Sequence, residues 1–69
     1  MSVYKVIELV GSSPNSWEEA ARSAVEIASG SLRDLRVASV SDLDMQIEDG
    51  RVVAYRAKVK VSFKHEASA

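Results

Sequence analysis

Four carboxylates stand close together around one Asp-Gly pair: Asp42, Asp44, Glu48 and Asp49. Hard cations take oxygen ligands, so such a group can collect Ca²⁺ or Mg²⁺. The spacing does not follow the loop pattern of an EF-hand. The same residues also read as a solvated or salt-bridged strand face, and a metal site would need symmetry to bring several copies together. Opposite them in sequence lies a basic stripe, Arg51, Arg56, Lys58, Lys60 and Lys64. It suits phosphate or another anionic ligand, but it equally suits cross-strand and intersubunit pairing with the acids. Nine Lys and Arg against ten Asp and Glu give a net charge of -1, and this near-neutral balance favours pairing.

Other chemistry is thinly represented. The chain has no cysteine and one histidine, which excludes disulfides and thiolate metal sites. His65 reads as an exposed tail residue, without the nucleophile and orienting partner that a catalytic role requires. Ser12, Ser13 and Ser16 read as turn and cap residues, and Tyr4 and Tyr55 as core or interface aromatics. No two carboxylates form an evident acid–base couple. The chain is therefore expected not to be an enzyme. Without a strong basic field it is not expected to bind nucleic acid. No apolar run approaches the roughly 20 residues of a membrane span, and the N-terminal segment lacks the features of a signal peptide, so the expected setting is the cytoplasm.

The elements that must position these residues follow from pattern. Residues 3–10, V-Y-K-V-I-E-L-V, read as a strand, and G-S-S-P-N-S as a turn. A helix then opens with Asn15 or Ser16 as N-cap; Ser16 with Glu19 fits a capping box. Trp17, Ala20, Ala21, Ala24, Val25 and Ala28 recur on one helical face, and this mostly alanine stripe lets the helix lie close to a sheet. Gly30 fits the C′ position. Residues 34–48 and 51–64 read as two arms of a hairpin joined by a type I′ turn at Asp49-Gly50. An unbroken register sets Glu48 opposite Arg51, Val40 opposite Val59, Ala38 opposite Val61 and Arg36 opposite Phe63. Val53, Tyr55, Ala57, Val59, Val61 and Phe63 then face the helix. In that register Asp42, Asp44, Gln46 and Glu48 share the helix side near the turn, where the hairpin has passed the helix.

The order is β-α-β-β in one domain, residues 1–69, with a core at about 3–65 and a short tail at 66–69. The class is α+β, a three-stranded antiparallel sheet wrapped around one helix, with the first strand beside the last. Each hairpin arm, fully extended, spans about 48 Å. A compact chain of this length is only about 28 Å across. The hairpin should therefore protrude onto neighbouring copies, and oligomerisation is also the remedy open to so small a core.

The ordered segments V-Y-K-V-I-E-L-V-G-S-S-P, S-W-E-E-A, L-R-D-L-R-V-A-S-V and V-S-F-K resemble the dodecins over residues 3–65. The resemblance implies the same β-α-β-β wrap and a hollow shell of twelve copies that binds or stores a small ligand. In the best-known members that ligand is a flavin (riboflavin, FMN or FAD), held pairwise between tryptophans near two-fold axes. The tryptophan position corresponds here to Val37, and a glutamine that reaches the flavin ring edge corresponds to Arg56. Both should lie on the sheet face away from the helix. Trp17, on the sheet-facing stripe of the helix, does not replace the missing aromatic. Flavin binding is accordingly expected to be weak or absent. The resemblance is strongest to the branch without the flavin-stacking tryptophan, where Ca²⁺ binding or a ligand-free structural shell is the alternative.

Overall fold

The computed structural model describes residues 1–65. The order is β1 (Val3–Ser13), α1 (Trp17–Ser29), β2 (Leu35–Glu48) and β3 (Arg51–His65). The three strands form one antiparallel sheet in the order β1-β3-β2, and α1 packs on one face. The tail at 66–69 lies outside the described residues. His65 is not a tail residue: its backbone ends β3 opposite Val3.

The core is small because the helix is built from small residues. Ala20, Ala24, Ala57, Val59 and Val61 are buried together. Ile7, Leu9, Ala21, Val25 and Leu35 pack around them. The close approach is most demanding at Gly11, where a Cβ would lie on the carbonyl of Ala20. Pairing with β3 draws the chain on past the predicted end of β1. Gly11, Ser12 and Ser13 continue the strand opposite Ala57, Arg56 and Tyr55. Ser13 still serves the turn, since its Oγ accepts the N–H groups of Asn15 at 3.0 Å and Ser16 at 3.4 Å.

Ser16 is the N-cap, and its Oγ accepts the Glu19 N–H at 3.0 Å. The reciprocal half of the capping box is replaced: the Glu19 carboxylate accepts from Asn15 Nδ2 at 3.1 and 3.2 Å. Gly30 caps the other end with φ −71°, a right-handed conformation. The left-handed residue comes later, at Asp34 with φ 59°. The Asp49-Gly50 turn has φ 50° and 74°, both positive as type I′ requires.

The hairpin register is not constant. Glu48 faces Arg51 and Ile47 faces Val52, but Gln46 then faces Ala54, leaving Val53 as an extra residue. A second shift at Ser41 restores Val40 to Val59 and Ala38 to Val61. A third at Arg36 sets Leu35, instead of Arg36, opposite Phe63. Each bulge exchanges the faces of the residues beyond it. Between the first two, Leu43 and Met45 face Ala57 and Tyr55, whereas Asp42 and Asp44 face Lys58 and Arg56. The acids thus occupy the face away from the helix, not the helix side that an unbroken register requires.

The molecule measures 55 × 20 × 14 Å, with a radius of gyration of 14.3 Å. A compact chain of this length would have about 11 Å. β1 ends opposite Tyr55, so from Ala54 to the turn β2 and β3 have only each other. Val40, Leu43, Met45, Ile47 and Val52 remain exposed, and each pairs within the apolar row that the helix covers only further along.

Candidate functional site

The outer face of the sheet, away from α1, carries the charged residues in register across all three strands. Ser12, Arg56 and Asp44 form one row, and Val10, Lys58 and Asp42 the next. Glu8, Lys60 and Ser39 follow, then Val6, Ser62 and Val37. The basic residues therefore run along the central strand with acids on both neighbours.

One of these oppositions is closed tightly. Arg56 Nε donates to Asp44 Oδ1 at 2.6 Å, and Arg56 Nη2 donates to Oδ2 at 2.8 Å. The bidentate geometry matches the planar guanidinium to the carboxylate. These hydrogen bonds, with the nearby positive charge, hold the Asp44 carboxyl below its ordinary range and raise Arg56 above its own. Both side chains are about half exposed, so solvent moderates the attraction. Asp44 is also fixed from the helix side: the Trp17 indole Nε1–H donates to its carbonyl oxygen at 2.9 Å. The Trp17 ring meets Tyr55 edge-on, with centroids 5.0 Å apart. Trp17 is thus engaged on the helix face, behind the row that holds Arg56.

Val37 and Arg56 do share the outer face, because Val37 faces Ser62 and Arg56 faces Asp44. Val37 is 61% exposed, and the Ser62 hydroxyl donates to its carbonyl at 3.3 Å. The acidic residues are strung out along β2 rather than gathered. Asp42 accepts the Leu43 N–H at 3.1 Å, Asp44 holds Arg56, Glu48 faces Arg51, and Asp49 sits in the turn. Asp42 and Glu48 are about 20 Å apart along an extended strand. Among the described residues no three His, Asp or Glu side chains form a group placed to hold a metal ion. Calcium takes six to eight oxygens, drawn from carboxylates, carbonyls and water, and these four carboxylates do not converge on one point within a single copy.

The structure thus presents a β-α-β-β wrap with a charged outer face and an unfinished apolar face. The dodecin family model matches residues 3–66, and the chain belongs to the dodecin family. It is 52% identical over 64 residues to calcium dodecin of Mycobacterium tuberculosis, covering 93% of this chain and 90% of that protein. The crystal structure of that protein, described as calcium chelating and as having a novel calcium-binding site, superposes with a TM-score of 0.83 at 49% identity. It covers 99% of this chain and 97% of its own. Dodecin from Streptomyces coelicolor superposes with a TM-score of 0.90 at 40% identity, covering 97% of this chain and 96% of its own. No helix among the described residues is long and apolar enough to cross a membrane.

Proposed function

We propose that this protein is a non-enzymatic small-ligand binding or storage dodecin, assembled as a hollow homododecamer, that binds flavin weakly or not at all. The observation that carries the ligand reading is the state of the two family positions. Val37 offers no aromatic platform, and Arg56 is committed to Asp44. A flavin ring edge presents an N–H between two carbonyls. A glutamine amide both accepts and donates, whereas a guanidinium only donates. Arg56 therefore meets the ring N–H with the wrong polarity. The exposed apolar row of the hairpin supports self-assembly, since a face of this kind calls for a partner surface.

Calcium binding is the ligand reading that the relationship to calcium dodecin supports. Asp42, Glu48 and Asp49 would contribute, and Asp44 on release from Arg56, with carboxylates from more than one copy completing the shell. A shell held by charge pairing alone, with no organic ligand, is favoured by the closed Asp44–Arg56 pair. Light scattering on the purified protein should report about twelve subunits, and a stable folded monomer at micromolar concentration would overturn the assembly. Titrations with riboflavin, FMN, FAD and Ca²⁺ separate the ligand readings. Saturable Ca²⁺ uptake with little flavin quenching supports the calcium form; no saturable Ca²⁺ uptake overturns it, and stoichiometric flavin quenching overturns the weak-flavin reading.

A further inference from the structure

We infer that Asp44 is a specificity-determining residue of the outer face: it occupies Arg56 from within and so keeps this face from taking anionic groups, phosphate or carboxylate. The inference rests on the reading above that the face bearing Val37 and Arg56 is the ligand face.

The argument begins with register. Arg56, Lys58 and Lys60 stand at alternate positions of the central strand, about 7 Å apart, and all face outward. Alone, such a row attracts anions, and arginine is the residue best shaped for a planar or tetrahedral oxyanion. Each cation has an acid in register on a neighbouring strand: Asp44 for Arg56, Asp42 for Lys58 and Glu8 for Lys60. Among the described residues only Asp44 closes onto its partner, through two hydrogen bonds. Asp42 turns back to its own strand and accepts the Leu43 N–H.

The closure is built rather than incidental. The extra residue Val53 brings Asp44 opposite Arg56, and Trp17 fixes the Asp44 backbone from the other face. The carboxylate takes up the Nε and Nη2 donors and cancels the local charge. A ligand phosphate would have to displace it or bind beside it against a like charge.

The test uses the full-length assembled protein and inorganic pyrophosphate in calcium-free buffer, with binding read by phosphorus NMR and calorimetry. The parent should bind pyrophosphate weakly. Asp44→Asn keeps the side-chain shape and removes the charge, so its affinity should rise by roughly fivefold or more. Adding Arg56→Gln to that variant should abolish the gain and so locate it. Unchanged affinity in Asp44→Asn overturns the inference. Reduced affinity also overturns it, because Asp44 would then be presenting Arg56 to the anion. A gain that survives Arg56→Gln overturns it as well. Light scattering on the same samples reports assembly separately. A monomer that gains pyrophosphate binding through Arg56 would leave the role of Asp44 intact and remove the shell.

Discussion

Asp44 and Arg56 face each other across the β2–β3 ladder because Val53 has no partner on β2. Carried unbroken from the turn, the register would set Asp44 opposite Tyr55, on the side of the helix. The bulge instead delivers the carboxylate to the outer face, where the guanidinium takes it in two hydrogen bonds.

That pairing gives the acid limb of stability a definite sign. The folded-state pKa of Asp44 lies below the ordinary 3.8, chiefly through its hydrogen bond to Arg56. A lowered carboxylate pKa adds stability that is complete above the unfolded value and is lost as pH falls through the folded one. At fixed protein concentration, the parent should therefore melt slightly above Asp44→Asn at pH values well above about 4. The difference should shrink towards zero on further acidification. It should be small and diminished by salt, because the pair is exposed. A difference that grows as the pH falls would refute the assignment.

The turn should tolerate no ordinary side chain at Gly50, although there is ample room for one. A Cβ there meets nothing within 4 Å, yet φ is +74°. Gly50→Val therefore tests backbone conformation alone. The left-handed region costs a non-glycine residue about 1–2 kcal/mol, and a β-branched residue is among the least suited. We expect a lower melting temperature and weaker assembly by light scattering. A variant that melts and assembles like the parent would show that the turn relaxes to another type.

Gly11 is required for the opposite reason. Its conformation is ordinary, but the space is filled: an added Cβ collides with the Ala20 carbonyl and lies 3.0 Å from Ala24 Cβ. A backbone carbonyl within a helix cannot swing aside like a side chain. Gly11→Ala should cost about 1–3 kcal/mol through displacement of α1 from β1, seen as a lower denaturation midpoint. Ser12→Ala, on the exposed side of the same strand, serves as control and should change little. Equal midpoints for the two would refute the close packing.

Much of this fold is legible in the sequence. The alanine stripe, the Ser16 cap and the Asp49-Gly50 turn each report a local requirement. Two of the three bulges are legible too, but in a subtler signal. Along β2 the apolar positions run Leu35, then Ala38 and Val40, then Leu43, Met45 and Ile47. The parity changes twice, and the structure places a register shift at each change, Arg36 and Ser41. A constant register passes over those phase changes and puts Asp42 and Asp44 on the wrong face. The bidentate pair was hidden for the same reason, since it depends on which residues oppose one another. The tie from Trp17 to the Asp44 carbonyl had no sequence signal, because it depends on where the helix start meets an arm 27 residues away.

The outer face can be asked directly whether it still shapes a flavin site. Val37 and Arg56 lie on that face, and Trp17 is held on the other by Asp44 and Tyr55. Val37→Trp supplies an aromatic platform, and each aromatic contact contributes about 1 kcal/mol beyond the area it buries. Arg56→Gln supplies an amide that can both accept and donate. In a site paired about a two-fold axis the platforms act from both sides of the ligand. The double variant should therefore quench riboflavin fluorescence at a protein concentration lower by roughly tenfold or more. The parent should quench only weakly. Tight quenching by the parent would show that other residues have replaced the tryptophan. If the double variant gained nothing while still assembling, the outer face would not form a flavin site in the assembly, and the charge-paired face would stand as a structural element in its own right.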